Sequence, residues 1–263
     1  MRKIPKLRFP EFSGEWEKDK LNNHAEIYDG THQTPSYKER GIRFVSVENI
    51  KDILGSDKFI SEDAFEKEYK NKMPEKGDIL MTRIGDIGTP AYIDFNEKIA
   101  YYVTLALIKC NSTFVYSKFL YYLIQGKNFQ KELDKRTLHI AFPKKINLGE
   151  IGLCSINFPF IPEQQKIASF FSTLDKKIEL QEERVKLLEE KKKGLMQKIF
   201  SQEIRFKDDE GKEYPEWEKK RFEQLFKPYK EKNSKGYPQY TIGKNGIRLY
   251  SDSKTGENKH ETN

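Results

Sequence analysis

The sequence contains few residues that could form disulfides or bind a metal. Its only cysteines, Cys110 and Cys154, each lie within an apolar stretch, which favours small buried side chains over a disulfide. The four histidines are His24, His32, His139 and His260. Because they are scattered and the cysteines are isolated, no group of three or four neighbouring ligands arises. We therefore expect no structural metal.

Long hydrophobic runs are also missing. No apolar stretch approaches the roughly 20 residues that a membrane-spanning helix requires. The N-terminal residues 1–16 lack the apolar centre of a signal peptide. We expect a cytoplasmic protein that does not enter a membrane.

Sequence motifs for catalysis are not found either. The glycine-containing stretch GDIG, residues 85–88 within TRIGDIGTP, lacks the G-x-x-x-x-G-K-[ST] pattern of a nucleotide-phosphate loop and is interpreted as a turn. The glycine-rich cofactor loop and the polar-Pro-Pro-aromatic signature of amino-group methyltransferases are both missing. Glu-x-Lys triplets such as residues 68–70 arise by chance when 34% of residues are charged, so they do not indicate a nuclease. No motif supports nucleophilic catalysis. We expect no catalytic activity in this chain.

The charge balance is moderately basic. Lys and Arg number 48 against 41 Asp and Glu, which gives a net charge of +7. Acidic residues are interspersed along the chain, so a phosphate-binding face must arise from folding and not from a basic tail. The charge suits a polyanionic partner but does not identify one.

Residues 1–160 have the pattern of an α+β domain. The β-rich runs GIRFVSV (41–47), GDILMTRIG (77–85) and AYYVTLALIKC (100–110) alternate with turn signals and predict a mixed sheet. We expect Tyr101 and Tyr102 to divide between core and surface. The segment SKFLYYLIQGKNFQKEL (117–133) has helical spacing, with Ser117 as its N-cap.

A long helix is predicted from Glu163 to Phe200, because this segment has no proline and a single glycine. Steps of four and three residues define a heptad seam, interrupted by Gln181 and Lys192. Its apolar members are Ile167, Phe171, Leu174, Ile178, Val185, Leu188, Leu195 and Ile199. The seam favours pairing with a second helix, and the alternative is an amphipathic helix packed on its own domain.

After the helix the sequence repeats itself. Leu7-Arg8-Phe9 followed by Glu15-Trp16-Glu17-Lys18 is echoed by Ile204-Arg205-Phe206 followed by Glu216-Trp217-Glu218-Lys219. We expect a first domain at 1–160, a long helix at 161–200, and at 201–263 a truncated second repeat that is too short to close a comparable core and is loosely ordered.

Three motifs occur together in this order: DGTHQTP (29–35) before GIRFVSVENI, then GDILMTRIGDIG, then IPEQQKIA (161–168). On these motifs, residues 1 to about 220 closely resemble the specificity subunit of type I restriction-modification systems. In that family two recognition domains alternate with two long helices, and the helices pair antiparallel as a spacer. This sequence departs from that pattern by containing one full domain, one helix and the start of a second domain.

The resemblance implies a subunit that reads double-stranded DNA and has no active site or cofactor of its own. It implies that a methyltransferase subunit brings S-adenosylmethionine, and that a motor-nuclease subunit working with ATP and Mg²⁺ joins for cleavage. Because the chain has one spacer helix, we expect the second helix to come from another copy, giving a homodimer.

Three loops are the candidates for DNA contact, because they are rich in the residue types that pair with base edges or phosphates. Thr31, His32, Gln33 and Thr34 form the first, with a turn that caps its own backbone as the alternative. Arg83 and Asp86 beside two glycines form the second, with a structural salt bridge of Arg83 as the alternative. Arg136, Thr137, His139, Lys144 and Lys145 form the third, for which phosphate contact is favoured over base reading.

Two other interpretations stay open on the sequence. The chain is also compatible with a stand-alone coiled-coil DNA-binding protein, such as a repressor, or with an inactive truncated remnant. Co-purification with a methyltransferase subunit separates the first interpretation from the family one, and insolubility or failure to bind any partner marks the second. The identity of the recognised bases depends on loop geometry, which the sequence does not give.

Overall fold

The computed structural model describes residues 5–110, 113–229, 236, 238–243 and 246–249. The C-terminal segment SDSKTGENKHETN, which we expected to be loosely ordered, lies outside the described residues. Two compact units are present, residues 1–192 and 193–263. This division falls within the long helix, and the domain boundaries predicted at 160 and 200 stay a prediction.

The first unit contains most of the secondary structure. Its elements in chain order are β1 (Glu17–Lys20), β2 (Ala25–Asp29), β3 (Ile42–Val45), β4 (Phe59–Ile60), α1 (Glu62–Tyr69), β5 (Ile79–Ile84), β6 (Asp86–Tyr92), β7 (Ile99–Tyr101), β8 (Leu105–Cys110), α2 (Ser117–Gln125), α3 (Lys127–Arg136), α4 (Leu148–Gly152) and β9 (Ser155–Phe158). The long helix α5 (Ile161–Phe200) follows, and α6 (Phe222–Leu225), β10 (Tyr240–Gly243) and β11 (Gly246–Leu249) belong to the second unit.

Two sheets organise the first unit, as an α+β fold requires. Strands β2-β8-β5-β6 form a four-stranded antiparallel sheet, and β4-β3-β7 form a mixed three-stranded sheet in which β3 and β7 are parallel. The two-stranded pair β1-β9 joins the beginning of the domain to the segment that precedes α5. The mixed-sheet domain predicted from the sequence is confirmed.

The two central strands, β5 and β8, begin with apolar runs because both of their faces are covered. On β5, Ile79 and Met81 face a core shared with α2 and α3, whereas Leu80 faces a second core shared with β3, β7 and α1. Strand β8 alternates in the same way, with Ala106 and Leu107 in different cores. The side chains point alternately to the two faces, so continuous burial produces the runs ILM and LALI.

Two sequence interpretations were wrong in detail. The run AYYVTLALIKC is not one strand, because a turn at 103–104 divides it into β7 and β8, which belong to different sheets. The predicted helix at 117–133 is two helices, since Gly126 has an extended backbone between them. Ser117 is not the N-cap, which is Tyr116; the Ser117 hydroxyl instead donates to the carbonyl of Gly77.

Other expectations of the core hold. Tyr101 is fully buried and Tyr102 is half-buried, so the pair divides between core and surface as predicted. Cys154 is buried and Cys110 half-buried, and both are free thiols. Burial raises the pKa of Cys110 to about 11 and that of Cys154 to about 12. Within the described part of the chain, no helix combines the length and apolar character that crossing a bilayer requires.

Helix α5 is confirmed as a single helix, starting two residues earlier than predicted, and its first turn is anchored by two buried polar side chains. Glu163 accepts hydrogen bonds from Arg8 Nε at 2.8 Å, Arg8 Nη2 at 2.6 Å and Trp16 Nε1 at 3.3 Å. Gln164, which is fully buried, accepts from the Tyr116 amide at 2.8 Å and donates to the carbonyls of Phe114 and Pro159. The IPEQQKIA motif thus ties the helix to both ends of the domain.

Candidate nucleic-acid interface

The structure joins the three predicted loops by hydrogen bonds. We call them the Thr31 loop (residues 30–35), the Gly85 turn (83–88) and the Lys144 loop (137–146). The Val103 amide donates to the Thr31 carbonyl at 3.0 Å, and the Val103 carbonyl accepts from Arg83 Nη1 at 2.8 Å. Arg83 Nε also donates to the Ile146 carbonyl at 3.2 Å. Three segments that are far apart in sequence therefore form one connected surface.

In the Thr31 loop, the backbone is fixed while the other polar side chains face solvent. The Thr31 amide donates to the Tyr101 carbonyl at 3.3 Å, and a Cβ on Gly30 would meet that same carbonyl oxygen at 1.9 Å. Thr31 itself is buried, and its hydroxyl accepts from the Gln33 amide at 3.2 Å. Gly30 is required for this close approach, and Thr31 has the backbone-capping role that we kept as an alternative.

Three further side chains of the Thr31 loop, those of His32, Gln33 and Thr34, are exposed. His32 Nε2 lies 2.7 Å from a carboxylate oxygen of Asp29, which restrains its ring. Gln33 contacts Thr31 through its backbone, and its side-chain amide is exposed. Amides and hydroxyls on a fixed backbone are suited to reading base edges.

Arg83 does not face solvent, as a base-reading residue would. It is only 7% exposed, and its guanidinium donates to two backbone carbonyls instead of facing solvent. The salt bridge that we kept as an alternative is also not its role, although Asp29 acts electrostatically on it. Burial lowers the pKa of Arg83, with Asp29 opposing that shift. In this structure Arg83 positions the loops around it.

The Gly85 turn is the tight connection between β5 and β6. Gly85 has a φ of +80° and Gly88 a φ of +91°, backbone conformations that L side chains rarely adopt. Asp86 is exposed, and its carboxylate accepts from the hydroxyl of Thr89 at 2.6 Å and from that of Thr82 at 3.4 Å. The predicted turn at 85–88 is therefore shorter than expected, because only Gly85 lies between the strands and Asp86 already belongs to β6. The connection presents the Asp86 carboxylate at the surface.

The Lys144 loop packs beside this turn. The Gly85 amide donates to the Lys144 carbonyl at 2.9 Å, and the Leu138 amide donates to the Lys145 carbonyl at 2.7 Å. Lys144 and Lys145 are exposed. Their backbones are fixed on the sheet, so the two flexible side chains start from set positions and their ammonium groups can reach an anion near the loop.

The other candidates of the third loop have structural contacts. Thr137 is buried, and its hydroxyl donates to the Leu133 carbonyl at 2.8 Å. Half-buried Arg136 pairs with the Glu132 carboxylate at 3.1 Å. His139 is exposed, with Nε2 2.9 Å from the Asp134 carbonyl. Only His139 of these three presents a side chain outward.

Sequence reasoning missed two features of this surface. Lys127 and Lys131 of α3 line a cavity of about 430 Å³ together with Lys144. The other lining residues are Ile87, Gln130, Leu133, Asp134 and Thr137. Three lysines against one aspartate give the cavity a positive balance. The second missed feature is that the Lys144 loop exposes Ile140 and Phe142 almost completely. Both features depend on loop folding that no local sequence pattern reveals.

The predicted helix-pairing residues divide into two groups. Ile167 packs against the domain core, and Phe171 lies 5.3 Å from the Tyr122 ring, so the first turns of α5 face their own domain. The seam further along is open: Leu174 is 40% exposed, and Ile178, Val185 and Leu188 exceed 50%. Leu195 is exposed and Ile199 half-buried. The predicted seam is therefore partly open from Phe171, which is 42% exposed, and more open from Ile178 to Leu188.

A second exposed stripe, which the sequence analysis did not single out, follows the same helix. Leu180 and Leu187 are 50% and 58% exposed and lie one heptad apart. At about 100° per residue, Leu180 and Leu187 lie about 160° from the seam residues Ile178 and Val185, and about 80–100° from Leu188. Helix α5 thus has a second apolar stripe, which borders the seam on its Leu188 side.

The family model described as "Type I restriction modification DNA specificity domain" matches residues 14–190. This range contains all three loops and most of α5.

Individual relatives agree with this match. The chain is 24% identical over 225 residues to the type I restriction enzyme MjaVIII specificity subunit of Methanocaldococcus jannaschii, covering 79% of this chain and 50% of the relative. It is 30% identical over 154 residues to the putative MjaX specificity subunit of the same organism, covering 54% of this chain and 36% of that protein. The chain spans about half or less of the length of these curated relatives.

Solved structures show the same fold. The S subunit of a type I restriction-modification system from M. genitalium has a TM-score of 0.55 at 15% identity, covering 76% of this chain and 49% of that one. A chain from a study of the assembly and conformational transition of a type I R-M system has a TM-score of 0.54 at 18% identity, covering 75% and 47%. At this identity the likeness concerns the fold alone.

Proposed function

This chain belongs to the type I restriction-modification DNA specificity family, and from this premise we propose that it recognises a sequence in double-stranded DNA for partner subunits. The observation that carries the proposal is the joining of three loops by Arg83 and Val103. Fixed loops that present exposed polar groups and lysines combine base reading with phosphate contact.

Each part of the surface has a proposed role. Gln33 and Thr34 contact base edges, with His32 and His139 beside them. Lys144 and Lys145, with Lys127 and Lys131 across the cavity, contact phosphates. Asp86 is able to accept a hydrogen bond from the exocyclic amine of cytosine. Arg83 holds the three loops in register and does not contact DNA.

The chain itself is proposed to be non-catalytic. A methyltransferase subunit binds S-adenosylmethionine and methylates adenine, and a motor-nuclease subunit supplies ATP- and Mg²⁺-dependent cleavage. The proposal draws on family membership, because relatives of this chain are named as specificity subunits of restriction enzymes.

The test is a methylome of cells that express this chain with its cognate methyltransferase subunit. We expect methylation at one defined sequence that disappears when this chain is omitted. The purified chain alone, given Mg²⁺, ATP and S-adenosylmethionine, should neither cleave nor methylate DNA. Methyl transfer by the chain alone, or a methylome unchanged by its omission, contradicts the proposal.

We also propose that two copies pair through α5. The open seam from Leu174 onward is the supporting observation, since leucine and valine side chains that are more than 40% exposed along a heptad favour helix pairing. A two-fold axis perpendicular to the helices makes them antiparallel. Two identical recognition domains then read the same short sequence on opposite strands, and the target is an interrupted palindrome.

The stripe of Leu180 and Leu187 is proposed as the contact for the methyltransferase subunit. Its two leucines lie outside the heptad seam, on the flank next to Leu188, so a helix pair leaves one such stripe on each copy. Apolar side chains with charged neighbours Glu179, Glu183 and Lys186 are a composition that suits docking of a second protein. This arrangement gives each half of the complex one methyltransferase.

A further inference from the structure

The Lys144 loop presents two large apolar side chains wholly to solvent. Ile140 is 99% exposed, and Phe142 is exposed to the full extent possible for a phenylalanine. Single exposed apolar residues are common on protein surfaces. Here two of them lie two positions apart at the tip of one loop, beside the surface that the proposed function assigns to DNA.

The tip is held by hydrogen bonds on either side. The Leu138 amide donates to the Lys145 carbonyl at 2.7 Å and closes the loop. Inside it, the Ala141 amide donates to the Leu138 carbonyl at 3.3 Å. The Ile146 amide then donates to the Arg83 carbonyl at 3.0 Å, which attaches the loop to β5. Phe142 therefore lies in a loop whose backbone is closed by hydrogen bonds and attached to β5.

The charges around the tip indicate the occupant. Lys144 and Lys145 follow Phe142 in sequence, and Lys127 and Lys131 line the adjoining cavity. Two carboxylates are nearby: Asp134, which lines the cavity, lies 3.5 Å from His139 Nε2, and Asp86 of the Gly85 turn accepts from the hydroxyls of Thr82 and Thr89. A partner that meets both lysines and a projecting aromatic ring must combine an anionic exterior with an apolar interior. Stacked bases inside a phosphate backbone have this combination.

We propose that Phe142, supported by Ile140, inserts between two adjacent base pairs of the bound DNA and partly unstacks them. The inference rests on the proposed function and deepens it by naming how the DNA is deformed. Apolar side chains that enter base steps in this way kink the duplex. Lys144 and Lys145 hold the neighbouring phosphates while the ring enters.

The deformation carries sequence information without a base-specific hydrogen bond. Pyrimidine–purine steps such as TA and CA unstack more easily than other steps. The step that receives Phe142 is therefore expected to be of this type. Such a preference would appear in the recognised sequence at a position that no polar side chain contacts.

The test uses the full chain and duplexes that carry its recognised sequence, with 2-aminopurine placed at successive positions. Fluorescence of this base rises when it unstacks. We expect a several-fold rise at one step with the unmodified chain, little or no rise with Phe142→Ala, and a retained rise with Phe142→Trp. Phe142→Ala should weaken binding by roughly 5- to 150-fold, the range of losing one stacked aromatic contact. The salt dependence of binding should stay unchanged, because no charge is removed.

Phe160→Ala is the matched control, because Phe160 is 72% exposed but lies outside the loop. It should leave both fluorescence and affinity unchanged. Since Phe142 is completely exposed, its replacement should not lower the urea midpoint of the chain. An unchanged midpoint shows that the variant is folded.

Three results would overturn the inference. Specific binding with no fluorescence rise at any step would show that Phe142 does not insert between base pairs, although the chain still recognises DNA. Loss of methyltransferase binding by Phe142→Ala, with DNA binding intact, shows that the tip contacts protein instead. Failure of the unmodified chain to bind DNA, even with its methyltransferase partner, would contradict both the proposed function and the insertion of Phe142.

Discussion

Arg8 and Arg205 make the same backbone contacts in two different parts of the chain. Each guanidinium donates to the carbonyls of the third and second residues before a tryptophan. For Arg8 and Trp16 the distances are 2.9 and 2.6 Å, and for Arg205 and Trp217 they are 2.9 and 2.5 Å. The sequence echo is therefore a repeat of local structure as well as of residue types.

The two copies of this motif differ in what they hold. Arg8 also pairs with Glu163 at the start of α5, and the Glu163 side chain is only 2% exposed. Arg205 pairs with Glu216, a neighbour of Trp217 that is 87% exposed. The second copy also contains four more residues between arginine and tryptophan, which a turn at 208–211 accommodates through Gly211 at a φ of +80°. The first copy is thus a joint between domain and helix.

The first prediction concerns this joint. Glu163→Gln should lower the urea midpoint of the chain, because Arg8 then loses the charged partner of its paired hydrogen bonds. Arg8→Ala should do the same. The double variant should be no less stable than the worse single variant, since both changes break one interaction.

Arg205→Ala is the control for the joint, because it removes the equivalent guanidinium where the partner carboxylate is exposed. It should shift the midpoint less than Arg8→Ala. Additive losses for Arg8→Ala and Glu163→Gln would show that the two side chains act independently.

The second prediction separates positioning from DNA contact at Arg83. Arg83→Ala should destabilise the fold by about 1–3 kcal/mol, because buried hydrogen bonds from a charged group to two carbonyls are lost. Chemical denaturation measures this change. Arg40→Ala, at an exposed arginine, should leave stability within about 0.5 kcal/mol of the unmodified chain. An Arg83→Ala chain with full stability but relaxed base preference would restore Arg83 as a reading residue.

Arg83 also illustrates what could be predicted from the sequence. The runs ILM and LALI identified buried strands, and the uninterrupted segment from Glu163 to Phe200 identified the helix. A local pattern cannot tell whether an arginine beside a turn faces DNA or backbone carbonyls, because Val103 and Ile146 approach it only after folding. The same limit applies to Gly126, where an extended backbone divides a helical pattern in two.

The third prediction tests the Thr31 loop. Gln33→Ala should reduce discrimination between the recognised duplex and a duplex altered at one base pair, by about 1–3 kcal/mol if the amide reads a base edge. Competition binding with the two duplexes measures this difference. Stability should not change, because the side chain is exposed. Gln165→Ala, an exposed glutamine on α5, should retain full discrimination, and equal discrimination by Gln33→Ala would place base reading elsewhere.

The fourth prediction concerns the lysines of the Lys144 loop. Replacing Lys144 and Lys145 together by alanine should weaken binding to all duplexes by a similar factor. It should also reduce the slope of log affinity against log salt by about 1–2, since each phosphate contact contributes about 0.9. Lys51→Ala with Lys76→Ala removes the same charge from exposed positions outside the three loops. An equal change of slope in this control would mean that net charge, and not the Lys144 loop, sets the affinity.

The last prediction separates the two apolar faces of α5. Val185→Asp with Leu188→Asp places like charges at the seam on both copies, so the chain should become a monomer at micromolar concentration. Leu180→Asp with Leu187→Asp adds the same charge to the second stripe. That variant should still self-pair but fail to retain the methyltransferase subunit. Sedimentation velocity measures the first property and co-purification the second.

Both double variants add two negative charges at exposed positions of one helix, so each is the control for the other. The seam variant should lose only the second copy, and the stripe variant should lose only the methyltransferase subunit. The seam variant should also lose methylation at the interrupted palindrome, since one recognition domain contacts a single half-site. A concentration-independent monomer of the unmodified chain would rule out self-pairing, and methylation at an asymmetric split site would show that a different chain supplies the second domain. Loss of both properties in both variants would mean that α5 has one continuous interface, in which the seam and the stripe are not separate.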